Sequence, residues 1–325
     1  MAFRSTNAAA LINNRIDKRL VSTLEDNFVL ARFAETRPLN KHDGDTVQLT
    51  FWNNPAISTG QADELAGGNE NAMTFTNVNV SVGFYADDFA FSELGEAIDK
   101  TGSVLSGHVG RTIFQVAGTI DTITRDALSA VTATSTRVVN GHVIGSTLAA
   151  TDTFNIAEVN HVFTVLDGRN VVPHPMSPSC YAGIFHTRPC GDMRGDTGGA
   201  NGFNDMTWND WMRRTDASAL ASGDIKKIIG VDPYKSTNIQ RLTDGNSVTY
   251  YNNFILGKES LVTTSINGLA APGEKGGRPL VRVIPKMFSH ATPYANKIRV
   301  VFKFYYGATI IDETRMMMLQ TASAS

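Results

Sequence analysis

Residues 46–84 read TVQLTFWNNPAISTGQADELAGGNENAMTFTNVNVSVGF, and this stretch decides the fold. In its first part, residues 46–52, Val47, Leu49 and Phe51 alternate with Thr46, Gln48 and Thr50. In its last part, residues 73–84, Val78, Val80, Val82 and Phe84 fall on one side. A period of two marks a strand with one buried face, so the stretch reads as a hairpin. Its connection, NNPAISTGQADELAGGNENA, has 20 residues and almost no large apolar side chains. Ordinary hairpin connections run about 2–5 residues. A two-stranded ribbon is marginal alone in water, so a hairpin this long calls for another surface, which a neighbouring copy can supply. The feature points to assembly rather than to catalysis.

Composition agrees. The 325 residues suffice for about two domains. Net charge is −2, which excludes a nucleic-acid binder of the usual basic kind. Charged residues make up 18% of the chain, below the usual level of about 25%. An isolated subunit would show much uncharged surface, and an assembled one would cover it. Two cysteines, Cys180 and Cys190, make no disulfide framework and leave a single bridge open. No apolar run reaches the length of a membrane span. The first 20 residues lack the apolar core of a secretory signal. The expected location is inside a cell, or in an object assembled there.

Outward from the hairpin, the N-terminal side carries Ile12, Ile16, Leu20, Leu24 and Phe28 at every fourth position, the stripe of an amphipathic helix. Arg15, Lys18 and Arg19 lie among its polar positions, and residues 1–41 hold seven Lys/Arg against four Asp/Glu. On the C-terminal side, a short strand over 85–91 precedes the strongest helical pattern. Leu105, Val109, Ile113, Val116, Ile120, Ile123 and Ala127 keep a spacing of three to four, which predicts a helix over about 103–130, on the order of 40 Å long. Asp87, Asp88, Glu93, Glu96 and Asp99 read as carboxylates satisfying the free N–H groups at its start. Strand-like pieces follow at 135–139 and 142–148. A helix over 156–167 is expected to end at Gly168 in a left-handed cap. Pro173, Pro175 and Pro178 mark a linker and a domain boundary.

Beyond it the pattern predicts a buried strand over 181–186, a Gly-rich loop over 188–203, a helix over 205–221 and a turn at Pro233. Short strands then run to Leu261, followed by a flexible loop over 267–279. Strands over 280–284 and 297–306 close the chain, and a strand-like run over 308–319 follows Gly307.

The search for chemistry returns no catalytic residue, no metal site and no cofactor. His174, Cys180, His186 and Cys190 fall within 17 residues, with gaps of five, five and three. Zinc sites favour two close pairs, and buried thiols with loop histidines explain the cluster better. The glycine-rich stretches at 195–202 and 273–277 match neither a phosphate-binding nor a dinucleotide-binding pattern.

The order of elements, together with VSVGFYADDFAFSELGEAIDKTGSVLSGHVGRTIFQVAGTIDTITRDALSA and SGDIKKIIGVDPYKS, resembles the major capsid proteins of tailed bacteriophages, whose fold is known from phage Hong Kong 97. The resemblance implies an α+β capsid fold with an N-arm over residues 1–40 and an E-loop hairpin over 41–84. It implies a peripheral domain over 85–172 and 285–325 with its spine helix, and an axial domain over 173–284. It further implies a protein that assembles into hexamers and pentamers of an icosahedral head around double-stranded DNA. Such a shell is built in the bacterial host cytoplasm with scaffolding, portal and possible cement proteins, and without a membrane. The E-loop tip residues Asp63, Glu64, Leu65 and Glu70 and the N-arm residues Arg15, Lys18 and Arg19 become expected inter-subunit contacts. Arg194, Asp196, Glu274 and Lys275 become axial-tip residues. Some members of this fold join subunits through an E-loop lysine. Residues 42–99 contain no lysine, so the expected shell is non-covalent, and its dissociated subunit should run near 35 kDa. An encapsulin-like compartment, a tail-tube subunit and a Cys/His enzyme are the alternatives.

Overall fold

The computed structural model describes residues 29–40, 42–53, 73–92, 104–142, 148–195, 227–245, 247–266, 280–284 and 297–322. The N-terminal stripe, the hairpin tip, Glu93, Glu96 and Asp99, residues 143–147, the 205–221 helix and the 267–279 loop lie outside them.

The long helix is the spine of the molecule. Helix α1, Val104–Ser129, has 26 residues. It turns Val109, Ile113, Val116, Ala117 and Ile120 onto Val300, Phe302, Phe304 and Tyr306. Those four are alternate residues of strand β12, Lys297–Ile310, so helical period and strand period meet along one seam. Strand β4, Gly83–Ser92, pairs antiparallel with β12 along 297–306. Strand β11, Leu280–Ile284, pairs with it along 299–303, and β10, Leu261–Thr264, along 307–310. The short β1, Glu35–Thr36, adds to β10 in parallel. These strands form the first sheet.

A second sheet carries β5 (Thr136–Val138), β13 (Met316–Ala322), β9 (Thr249–Leu256), β6 (Tyr181–His186) and β7 (Val231–Ser236) in that order, with β8 (Arg241–Thr243) also on β9. Helix α2, Ile156–Gly168, buries Ile156, Val159, Val162 and Leu166 among Tyr181, Phe185, Ile255, Met317 and Leu319. A third cluster, with Leu30, Phe33, Leu128, Phe254 and Met316, joins the N-terminal strap to this sheet. Strand pairing crosses the linker near Pro173 in both directions. β5 and β13 pair within the second sheet, whereas β10 and β11 pair with β12 in the first.

The hairpin is the remaining, two-stranded sheet: β2, Thr46–Trp52, and β3, Phe75–Ser81. Its inner face packs on the body, where Val80, Leu49 and Phe51 meet Val262 and Ile311.

Several local expectations change. The return strand ends at Ser81 and β4 begins at Gly83, so the strand expected over 85–91 is longer. Asp87 and Asp88 sit in β4, not at a helix start: Asp87 accepts a hydrogen bond from Gln115 Nε2 on α1 (2.9 Å), and Asp88 faces Arg299 at 3.4 Å. Gly168 stays helical, and Asn170 takes the left-handed conformation (φ 54°). The N–H of Val171 bonds to Leu166 O and that of Asn170 to Asp167 O, a Schellman cap with Asn in the glycine position. Thr187–Gly195 is a helix, α3, rather than loop, with Pro189 in the first turn, where its missing N–H costs little. Pro233 lies inside β7 and not in a turn. Among the described strands β7 is the sheet edge, beside β6, which is where a strand tolerates proline. Gly307 does not interrupt β12, and the break comes at Glu313–Arg315, a single 3-10 turn.

Candidate inter-subunit surface

The hairpin register pairs Thr46 with Ser81, Gln48 with Asn79, Thr50 with Asn77 and Trp52 with Phe75 on one face. Val47–Val80, Leu49–Val78 and Phe51–Thr76 lie on the other. The second face meets the body. The first is polar until its far end, where two aromatic side chains stand out of phase. Trp52 is 65% exposed and Phe75 is 54% exposed, with ring centroids 4.4 Å apart. Met73, 62% exposed, lies beside them in sequence. Asn53 closes this end through hydrogen bonds with Thr74 and Thr76. Exposed aromatics grouped at one place are a mark of an interaction surface.

The root is fixed by close approach. A Cβ at Gly307 would collide with the carbonyl oxygen of Ser81, so β3 lies on β12 only because position 307 has no side chain. The strap ahead of the hairpin is held as firmly. The Leu30 N–H donates to buried Asp121 of α1 (2.8 Å), and Asn238 Nδ2 donates to the other oxygen of the same carboxylate (2.9 Å). Phe33 lies between His174 and Tyr234, edge-on to both. His174 accepts from the Met176 N–H at Nδ1 and so donates from Nε2 to Phe33 O at 3.0 Å. Burial pulls its pKa below the ordinary value, against the opposing effect of the Phe33 bond.

A groove of about 720 Å³ runs between α1 and residues 235–238, with Val29, Phe114 and Gly118 on its walls. Phe114 is 67% exposed on the side of α1 away from the sheet. The first described residue of the strap therefore enters beside an open apolar side chain.

The Cys/His cluster is not brought together as a site. Cys180 and Cys190 form no disulfide, and Cys190 is buried. His186 stacks on Tyr251 and takes the Arg188 N–H at Nδ1, its pKa lowered by burial and by Arg188 and Arg241. Among the described residues no three His, Cys, Asp or Glu side chains converge as metal ligands, and no helix is long and apolar enough to cross a membrane. Arg194 lies on α3. Arg15, Lys18, Arg19, Asp63, Glu64, Leu65, Glu70, Asp196, Glu274 and Lys275 fall outside the described residues. Sequence reasoning passed over Trp52, Phe75 and Phe114. Trp52 and Phe75 carried a signal, since each is the one large apolar residue on an otherwise polar face of its strand.

No family model matches the sequence, and no curated protein matches it. Solved structures do. The chain is similar to the capsid of Ralstonia phage GP4, with a TM-score of 0.66 and 14% identity, covering 90% of this chain and 88% of that one. It is similar to the capsid of cyanophage P-SCSP1u, with a TM-score of 0.62 and 11% identity over 92% and 89%. An encapsulin complex from Synechococcus elongatus follows at 0.54 and 9% over 91% and 88%. The chain thus has the Hong Kong 97-type capsid fold.

Proposed function

We propose that this protein is the major capsid protein of a tailed bacteriophage. In this reading it assembles with copies of itself into hexamers and pentamers of an icosahedral shell around double-stranded DNA. The observation that carries the proposal is the hairpin. It is a ribbon packed on its own body by one face only among the described residues, ending in exposed Trp52 and Phe75 on the other, on a fold shared with phage capsids over nine-tenths of the chain. Its acidic tip, Asp63, Glu64, Leu65 and Glu70, contacts a neighbouring subunit. Arg15, Lys18 and Arg19 of the N-arm lie on other subunits. Arg194, Asp196, Glu274 and Lys275 meet around the symmetry axes. Residues 85–172 and 285–325 form the peripheral domain, with α1 as its long helix, and residues 173–284 the axial domain.

The role is structural and not enzymatic. The shell is held by packing and hydrogen bonds, because residues 42–99 offer no lysine for an isopeptide link. Scaffolding, portal and cement proteins are its expected partners, contact with the packaged DNA is non-specific, and assembly takes place in the host cytoplasm. Deleting residues 55–72 tests the proposal. The variant should keep the circular dichroism and cooperative unfolding of the subunit and form no particles, whereas particles of normal yield would refute the role given to the hairpin. A second reading, an encapsulin-like compartment subunit, is favoured by the encapsulin neighbour. Protein cargo in place of nucleic acid in native particles would select it.

A further inference from the structure

The end of the second sheet where β6 runs into α3 gathers positive charge on a fixed frame. His186, the last residue of β6, stacks on Tyr251 of β9 with ring centroids 4.3 Å apart and planes 20° from parallel. Tyr251 is buried in the core, so the imidazole lies on a rigid plate. The main-chain N–H of His186 donates to Asn253 Oδ1 (3.0 Å). Asn253 is fully buried and donates in turn from Nδ2 to Thr321 Oγ1 (3.0 Å). The imidazole accepts from the Arg188 N–H at Nδ1 (3.1 Å), so the neutral ring is a donor at Nε2. Two guanidinium groups flank it. Arg188 lies in the first turn of α3, and Arg241 lies on β8, opposite Tyr251 in the pairing of β8 with β9. Both residues are exposed. Burial first, and then the charges of Arg188 and Arg241, lower the pKa of His186, and among the described residues no carboxylate opposes them.

We propose that His186, Arg188 and Arg241 bind a single phosphate group, either free phosphate or the monoester of a small molecule. The inference does not depend on the shell reading. All three side chains present donors, and the guanidinium fork fits the oxygens of an oxyanion. Two fixed cations match a dianion, whereas one carboxylate would leave a positive charge uncompensated. A tetrahedral group also has oxygens enough to meet donors from β6, α3 and β8, and a carboxylate has two. A nucleic-acid strand fits less well. It is met by a row of cations that follows its backbone, and the flanking Gln240, Leu242, Thr243, Tyr250 and Asn252 are uncharged.

Equilibrium dialysis of the full-length chain against radiolabelled inorganic phosphate, at pH 7.5 and fixed ionic strength, provides the test. Uptake should saturate at about one phosphate per chain. Arg188→Gln and Arg241→Gln should each weaken it about tenfold, and Arg241→Lys, which keeps the charge, should recover part of the loss. Because both arginines are exposed, the variants should melt at the parent temperature in phosphate-free buffer. The rise in melting temperature that phosphate gives the parent chain should shrink in them, a change that a merely structural role would not produce. Displacement of the label by a tenfold lower concentration of a sugar phosphate assigns the site to a monoester, and equal or weaker displacement assigns it to free phosphate. Uptake that does not saturate, or that both glutamine variants retain in full, overturns the inference. Displacement by duplex DNA at a phosphate concentration where inorganic phosphate has no effect also overturns it, in favour of a polyanion at this end of the sheet.

Discussion

At position 307 the backbone of β12 has no room for any side chain, because the Ser81 carbonyl oxygen occupies the place of a Cβ. Gly307→Ala should therefore push the hairpin root off the sheet and destabilise the subunit by about 1–3 kcal/mol, read as a lower denaturant midpoint. One residue away, Tyr306 is buried and its hydroxyl lies 2.8 Å from Thr124 Oγ1. Thr124 Oγ1 also donates to Ile120 O at 2.8 Å. Burial first, and the charge of Asp121 after it, push the Tyr306 pKa up to about 12 against the opposing bonds from Thr124 and Thr263. The folded state thus holds this proton more tightly than the unfolded chain, whose tyrosine titrates near 10. The corresponding stability is fully present below pH 10 and is lost as pH rises from 10 to 12, in total on the order of 3 kcal/mol. Tyr306→Phe should flatten that part of the pH–stability profile and cost about 1 kcal/mol at neutral pH. His174 works in the other direction. Its folded-state pKa lies below the ordinary 6.5, so its contribution is complete above pH 6.5 and declines as the pH falls below it. His174→Gln, which keeps a side-chain donor for Phe33 O, should lessen the acid sensitivity of the folded subunit in a pH-titrated melt.

Among the elements, α1 shows most clearly how much was legible beforehand. Its bounds, Val104–Ser129, follow from a spacing of three to four sustained over seven turns, and that same spacing names its buried face. Ile113→Ala should cost about 2–5 kcal/mol in urea unfolding, since Ile113 is fully buried against β12. Phe114→Ala, one residue on and 67% exposed, should change subunit stability by no more than about 0.5 kcal/mol. A loss of assembly in that variant would place the Phe114 groove at an interface. The strands β2, β6 and β11 were legible for the same reason, since alternation or a short apolar run has a single good reading. What was not legible has a physical cause in each case. Pro233 is a turn signal that an edge strand overrides by leaving its missing N–H outward. Asn170 substitutes for glycine in a left-handed cap, and Gly168 drew attention away from it. Thr187–Gly195 looked like loop because Pro189 and Gly191 break helices in the interior but not in the first turn or on an exposed side. The out-of-phase Trp52 and Phe75 could be seen in the sequence, but their exposure follows only from knowing which hairpin face meets the body.

For the whole molecule, the topology divides the work. The first sheet and α1 share one core, the second sheet and α2 another, and the strap over residues 30–39 is tied to both through Asp121 and Phe33. The hairpin is held on its inner face by Val262, Ile311 and Gly307. The chain is thus built on two cores and leaves the aromatic end of the ribbon exposed. Individual exposed contacts contribute only about 0–1 kcal/mol, so the proposed shell would owe its durability to their repetition. The most direct test is electron microscopy of the purified full-length chain at high concentration. The account predicts closed, hollow particles of uniform diameter, built of five- and six-membered rings. A preparation that contains only monomers under the same conditions would contradict it.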